Sequence, residues 1–368
     1  MLNTPSFHGS YCADDVQFLL KPIQMENTDV TEKERLIQSG KRHYSEMIVQ
    51  EYQPSDSYMQ VFHHAFTQNS QTLADNVLTL AHHLQQKKEV VLVSLARAGT
   101  PVGVLLKHTL RDFYQRDVPH YSISIIRDRG IDANALKYIL NHHDHLGRDI
   151  VFIDGWTGKG VIGDELQKWI SLFNQENETE ISSDLYVLAD LSGTAAVSAT
   201  LEDYLIPSSL LNSTINGLIS RSILNDDYIG AEDFHGCCFY DELHNVDLSR
   251  WYVKEIMQQV HHLAKSPVRR HCTTTEARLE RKKISHNFVK EMMDYYGIGH
   301  VNYLKPGLGE AIRVLLRRAP ERILVQDKQL EAIQPFLVLA EEKNVPIEEI
   351  PSMPYKAAGI IQHSKQKI

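Results

Sequence analysis

Three apolar, largely β-branched runs, EVVLVSL at 89–95, VPHYSISII at 118–126 and DIVFID at 149–154, each lead into a stretch with helical spacing. A fourth run, SDLYVLAD at 183–190, closes the series. Runs of this kind, with little polar alternation, belong to strands buried on both faces, as when helices cover both sides of a parallel sheet. The intervening stretches read VGVLLKHTLRDFY with Pro101 at its start, ANALKYILNHH and VIGDELQKWISLF. Proline is pre-organised for a first helical turn. The alternation predicts an α/β fold built on a Rossmann-like, mostly parallel sheet. Upstream, Val61, Phe62, Phe66, Leu73, Val77, Leu80 and Leu84 recur at helical spacing and predict one or two amphipathic helices.

A chain of 368 residues exceeds what one core usually organises. Residues 1–60 read as an N-terminal extension or hood and 61–264 as the sheet domain. Residues 265–295 read as a linker or exposed helix, because KSPVRRHCTTTEARLERKKIS offers little to bury. In 296–368 a compact alternation resumes, with GEAIRVLLRRA helical, RILVQD a strand, QLEAIQPFLVLAEEKN helical and VPIEEIPS a strand. Charge follows the same division. The net charge is −9, yet from Pro267 to Ile368 there are 17 Lys plus Arg against 12 Asp plus Glu. Such asymmetry fits separate partners for the two parts. No apolar run approaches the ~18 residues of a membrane span, and MLNTPSFHGSYCADD lacks signal-peptide features. Four scattered cysteines fit a reducing cytosol, so a cytoplasmic location without a membrane partner is expected.

The stretch IVFIDGWTGKG at 150–160 ends a strand in Asp154 and places glycines at 155, 158 and 160 before a helix. Glycines let amide N–H groups approach an anion, and a helix start adds unpaired donors. Thr157 adds a hydroxyl and Lys159 a charge. The spacing fits neither GxxxxGK[ST] nor GxGxxG. SLARAGTP at 94–101 repeats the arrangement, with Arg97 beside Gly99. Two such loops at one carboxyl edge predict a ligand with two separated phosphates; the plain alternative is two glycine turns and a surface arginine. ADLSGTAA puts Asp190 and Ser192 on the same edge, and IPSSLLNSTINGLISRSIL at 206–224 is rich in Ser and Asn. Both stretches read either as contacts to an acceptor or as turns. FHGCCFYDEL offers His235 near Cys237. A cysteine hydrolase needs a thiolate beside an imidazole, whereas such cysteines are more often small packed residues. Nothing resembles HExxH, so no zinc is expected.

A strand ending in R-x-G-x-P before a helix, then a later strand ending in an acid followed by T-G, resembles a type I phosphoribosyltransferase. The resemblance implies that Asp154 holds the ribose hydroxyls of phosphoribosyl pyrophosphate (PRPP). Gly155, Trp156, Thr157, Gly158, Lys159 and Gly160 would surround the ribose and 5′-phosphate, and Ala96, Arg97, Ala98, Gly99 and Thr100 the pyrophosphate. RDRGID at 127–132 falls where the family has its mobile catalytic loop, so Arg127 and Arg129 would neutralise the leaving group. Mg²⁺ would be carried by the substrate, without protein ligands. The implied reaction moves ribose 5-phosphate between PRPP and a nitrogenous base or amine. Gly155 stands where the family has a second acid, which leaves a ligand-sensing role open.

Over nearly its whole length the chain resembles a bacterial family associated with stress and tellurite resistance. HGSY, HYSEM, LVSLARAGTPVGVLLK, DGWTGKG and LKPGLGEA carry the likeness. That family joins a divergent phosphoribosyltransferase to a small C-terminal Pelota-like, kink-turn-binder-like α/β domain, and some members bear a cysteine-protease label. KPGLGEAIRVLLRR followed by EEKNVP resembles the RNA-gripping part of that domain. This implies RNA contacts from Lys305, Gly307, Gly309, Glu310, Arg313 and Arg317, with Arg318 beside them. Gly309 stands where Asn is usual, so a base contact would be lost.

Overall fold

The structure, a computed structural model, describes residues 7–142, 147–266 and 270–362. Two short strands, β1 (Gln17–Leu19) and β2 (Lys21–Pro22), precede helices α1 (Val30–Gln38) and α2 (Asp56–Leu84). The alternation then runs β3 (Val91–Ala96), α3 (Thr100–Tyr114), β4 (His120–Ile126), β5 (Gly130–Ile131), α4 (Ala133–His142), β6 (Ile150–Thr157), α5 (Val161–Asn177), β7 (Leu185–Asp190) and β8 (Val197–Thr200). A long irregular stretch holding β9 (Gly236–Cys237) leads to α6 (Ser249–Leu263). The C-terminal part comprises α7 (Thr275–Tyr296), β10 (Leu304–Pro306), α8 (Leu308–Arg317), β11 (Pro320–Val325), α9 (Gln334–Glu342), β12 (Ile347–Glu349) and β13 (Ala357–Ile361).

The large sheet has the order β1-β4-β3-β6-β7-β8 with every neighbouring pair parallel, and β5 lies antiparallel on β4. The all-apolar runs behave as their pattern predicts: β4 and β7 are buried along their whole length. The chain steps from β3 outward to β4, then returns to the other side of β3 to form β6. The order therefore reverses between β3 and β6, and ligands in open α/β sheets bind at the carboxyl ends of such a pair. Gly99 lets the start of α3 pass this close to β6, since a Cβ there would lie 2.3 Å from the Ile153 carbonyl oxygen.

Two expectations change and one is sharpened. β6 does not stop at Asp154 but continues through Gly155, Trp156 and Thr157, because Trp156 and Thr157 pair with Ala189 and Asp190 of β7. The turn proper is 158–160. The segment read as a linker or exposed helix is a largely exposed helix over Thr275–Tyr296, α7, capped by the Thr274 hydroxyl and buried only at Ser285 and Phe288. Arg281 ties this helix to both parts by donating to the carbonyls of Leu201 and Pro354. Finally, the C-terminal sheet, β10-β13-β11-β12, has as an inner strand the unforeseen AAGII of β13. One apolar cluster runs from Tyr11 and Phe18 through α2 to Leu304, Phe336 and Ile360, so core packing is continuous across the expected domain boundary.

Candidate functional site

Asp154 sits half-buried near the end of β6, and its carboxylate accepts the Gly155 N–H at 2.7 Å. Burial pushes its pKa up to about 7, with Glu310 adding to the shift while the Gly155 N–H and Arg313 oppose it. Six residues on, Gly160 precedes α5 at its N-cap position; its φ of 85° is left-handed and a Cβ there would meet Thr194 at 2.5 Å. No side chain caps α5, and none caps α3 at Gly99. Two helix N-termini without side-chain acceptors thus meet at the strand-order reversal, an arrangement suited to anions.

Thr157 is turned away from that opening. Its hydroxyl donates to Asp190 at 2.5 Å and accepts from the Ser192 hydroxyl at 2.8 Å. Asp190 also accepts the amides of Thr194 and Ala195, and is fully buried. A buried carboxylate needs such donors. Thr157, expected to contribute its hydroxyl at the 5′-phosphate, and Asp190 and Ser192, expected at an acceptor, therefore form an internal anchor for the β7–β8 connection. The anion-facing share of the stretch reduces to Asp154 and residues 158–160.

On the β3 side, Arg97 donates to the Ile219 carbonyl at 2.8 Å and pairs with Glu51 at 3.2 Å. Ala96 ends β3, Ala98 lies beside Gly155, and the Thr100 hydroxyl bonds that of Ser122. Arg127 at the end of β4 has its amide on the Tyr44 hydroxyl and its guanidinium 5.5 Å from the Tyr44 ring. Arg221 lies 5.4 Å from the same ring and donates to the Met47 carbonyl. Arg129 points elsewhere, to Glu46 at 2.8 Å. Tyr44, Glu51 and Arg221 were not foreseen. The available signal was Arg221 itself, the sole charged side chain between Ile206 and Asn225.

The C-terminal unit closes this edge. Lys159 donates to the carbonyls of Val301 and Leu304 at 2.5 and 2.9 Å, and burial together with Lys305 pushes its pKa down to about 7. The Tyr355 hydroxyl reaches the Gly158 carbonyl at 3.4 Å. Glu310 pairs with Arg313 at 3.1 Å and is hydrogen-bonded to Trp156. Burial favours its neutral form, but Arg313, Lys305 and Lys159 outweigh this and keep it below the usual carboxylate range. Asp203 accepts the amides of Leu308 and Lys356 at 2.9 and 2.8 Å, which fastens α8 down. A small opening between the units is lined by Trp156, Leu191, Tyr204, Ser209, Gly307 and Glu310.

The turn implied to grip RNA thus faces the sheet edge. Gly309 has a packing reason, since a Cβ there would sit 3.0 Å from the Ser209 hydroxyl. Arg317 ends α8, its side chain lying outside the described residues, and Arg318 pairs with Glu34 at 3.2 Å.

The cysteines show no activated thiolate. Cys237 is fully buried, and burial raises its pKa far above the usual thiol value; Cys238, Cys12 and Cys272 are raised by the same cause. His235 contacts the Ser124 hydroxyl at 2.8 Å. Among the described residues no group of three or more His, Cys, Asp or Glu could hold a metal ion, and no helix is long and apolar enough to cross a membrane.

A family profile described as "Tellurite-like stress resistance cysteine protease StiP" matches residues 9–257, and one described as "PELOTA RNA binding domain" matches residues 283–363. A curated protein of Acinetobacter baylyi (strain ATCC 33305 / BD413 / ADP1), named "Cysteine protease StiP", is 41% identical over 368 residues, covering 97% of this chain and 94% of that relative.

Proposed function

The chain belongs to the StiP family of tellurite-like stress resistance and carries a PELOTA RNA-binding domain, and on that premise we propose that its large sheet handles a ribose phosphate. The proposed reaction transfers ribose 5-phosphate between PRPP and a nitrogenous base or amine. The observation that carries the reading is the pair of uncapped helix N-termini at the strand-order reversal, with Asp154 near the end of β6. Asp154, when ionised, accepts hydrogen bonds from the ribose hydroxyls. Amides of residues 158–160 and the start of α5 take the 5′-phosphate. As the bond from C1 to the pyrophosphate oxygen breaks, its electron pair leaves with the pyrophosphate. Arg97 and Arg127 face that growing charge. The acceptor nitrogen bonds to C1, and its proton passes to the departing pyrophosphate.

Mg²⁺ riding on the substrate's oxygens would add charge neutralisation there, and a site with one acid at the turn and arginines beyond it fits an ion held mainly by phosphate. The test is incubation of the protein with PRPP, Mg²⁺ and candidate acceptors, with pyrophosphate release and mass spectrometry of the nucleotide product as readouts. Ligand-induced stabilisation without turnover would favour a ligand-sensing RNA-binding regulator.

The curated relative's name supports a second reading, a cysteine hydrolase using Cys237. A nucleophilic thiol needs a lowered pKa and access. Cys237 has neither in this structure, so we place the transferase reading first.

A further inference from the structure

The edge of the large sheet is walled on one side by residues of the C-terminal unit. Asp203 fastens the start of α8 by accepting the Leu308 amide at 2.9 Å. The first turn of α8 thereby lies against the turn before α5. A Cβ on Gly158 would sit 3.5 Å from the Pro306 carbonyl oxygen and 3.8 Å from Cγ of Glu310. The Tyr355 hydroxyl reaches the Gly158 carbonyl at 3.4 Å, and Lys159 is bonded to two carbonyls of the same unit. One apolar cluster joins the two parts, so this wall is built into the fold.

Glu310 also reaches the strand that carries Asp154. Side chains two apart on a strand share a face. At the end of β6, Asp154 and Trp156 are half-buried while Gly155 and Thr157 are buried, so Asp154 and Trp156 lie on one face. Glu310 is hydrogen-bonded to Trp156, and the two line one opening with Gly307 and Ser209. Its carboxylate is thus beside the face from which Asp154 projects. Among the described residues two charged side chains act on Asp154, and both belong to α8: Glu310 favours its proton and Arg313 opposes it. They stand three residues apart and are paired at 3.1 Å. Helix α8 therefore brings one like and one opposite charge to the acid of the large sheet.

We propose that the ribose-phosphate site is shared by both parts of the chain, with Glu310 and Arg313 as positioning residues that act on the ligand through Asp154. Glu310 holds back, and Arg313 favours, the ionised carboxylate that accepts the ribose hydroxyls. The inference rests on the ribose-phosphate reading and gives residues 310 and 313 a task apart from RNA. A carboxylate beside the turn also repels a bound phosphate directly, whether or not Asp154 is ionised. The two effects separate by pH, because only control of Asp154 displaces the pH dependence of binding.

The test is the affinity of the full chain for PRPP with Mg²⁺, by titration calorimetry across the neutral range, in the parent, Glu310→Gln and Arg313→Gln. Gln keeps the size of Glu310 and an acceptor for Trp156. Below the midpoint of Asp154 the ionised fraction falls about tenfold per pH unit, and the apparent affinity falls with it. Glu310→Gln should displace this profile to lower pH and bind more tightly than the parent at acid pH, by about tenfold per unit of displacement. Arg313→Gln should displace it to higher pH. Titration of the ligand's own phosphates is common to all three proteins. Carbon NMR of the Asp154 carboxyl, identified by its absence from Asp154→Asn, reads the same displacement without ligand. Midpoints equal to the parent's in the folded variants would overturn the inference, and so would a Glu310→Gln affinity raised by one factor at every pH. If Glu310→Gln does not fold, Arg313→Gln decides alone, since that side chain is 37% exposed. Midpoints that move in a protein binding neither PRPP nor ribose 5-phosphate would refute the ribose-phosphate reading and uphold the control of Asp154 by α8.

Discussion

Replacing Asp154 by Asn separates what this side chain costs the fold from what it gives a ligand. Asp154 loses its proton near pH 7 in the folded protein, because of burial first and Glu310 second, against about 3.9 in an unfolded chain. Between those values the folded state holds a proton that the unfolded state has released. The parent therefore loses stability as pH rises through this window, and levels off above about 7. At 1.36 kcal/mol per unit, the loss is about 1.5 kcal/mol at about pH 5 and about 4 kcal/mol at about pH 8. Asn keeps the shape and does not titrate. Its advantage over the parent should widen by roughly 2.5 kcal/mol between those conditions, about 3 °C in Tm for a chain of this length. Affinity for PRPP should move the opposite way, weakening by roughly 1.5–3 kcal/mol as a charge-assisted hydrogen bond is lost. Melts of both proteins at the two pH values, with and without PRPP and Mg²⁺, measure both arms. A Tm gap that stays constant with pH would refute the buried-carboxyl argument, and unchanged PRPP affinity would remove Asp154 from the ligand site.

PRPP with Mg²⁺ should raise the melting temperature of the parent, by the equivalent of about 2.7 kcal/mol at ~100 times its dissociation constant; no shift at millimolar concentration with either PRPP or ribose 5-phosphate would show the ligand to be something else. Asp203→Ala should leave the amides of Leu308 and Lys356 without their acceptor, at roughly 1–3 kcal/mol each. Hydrogen exchange should then rise in α8 and β13 but not in β3; unaltered protection in α8 would show that Asp203 does not fasten it. Iodoacetamide should label the exposed Cys12 well before Cys237 in the native protein. Rapid native labelling of Cys237 would instead favour the hydrolase reading.

The parallel sheet was legible because burial on both faces leaves a direct trace in composition: runs such as VFI and VLV have no polar face to show. The extension of β6 was not legible, since GWT reads as a turn by local preference and only the pairing partner, residues 189–190 of β7, makes it a strand. The same holds for Thr157 and Asp190, which read as ligand groups from their place at strand ends but satisfy one another 33 residues apart. Arg221 lay hidden for the opposite reason. Its segment looked like a polar loop, whereas the fold buries most of it and leaves its lone charge near the ligand edge. Gly309 shows that a departure from a family's usual residue has more than one physical source, here the hydroxyl of Ser209.

Because α7 is one unbroken helix of 22 residues, with Arg281 bridging Leu201 and Pro354 and Ser285 bonded to Tyr355, its length sets a rotational phase. One added residue would turn everything downstream by about 100° and advance it by about 1.5 Å. That would swing Lys305 and Glu310 off the sheet edge even though no contacting side chain had changed. Insertions of about 11 or 18 residues close on whole turns and restore the azimuth but not the distance. Splicing another C-terminal unit onto this chain therefore requires that the helix be joined in register, as the teeth of a gear must be, and not merely at a permissive loop.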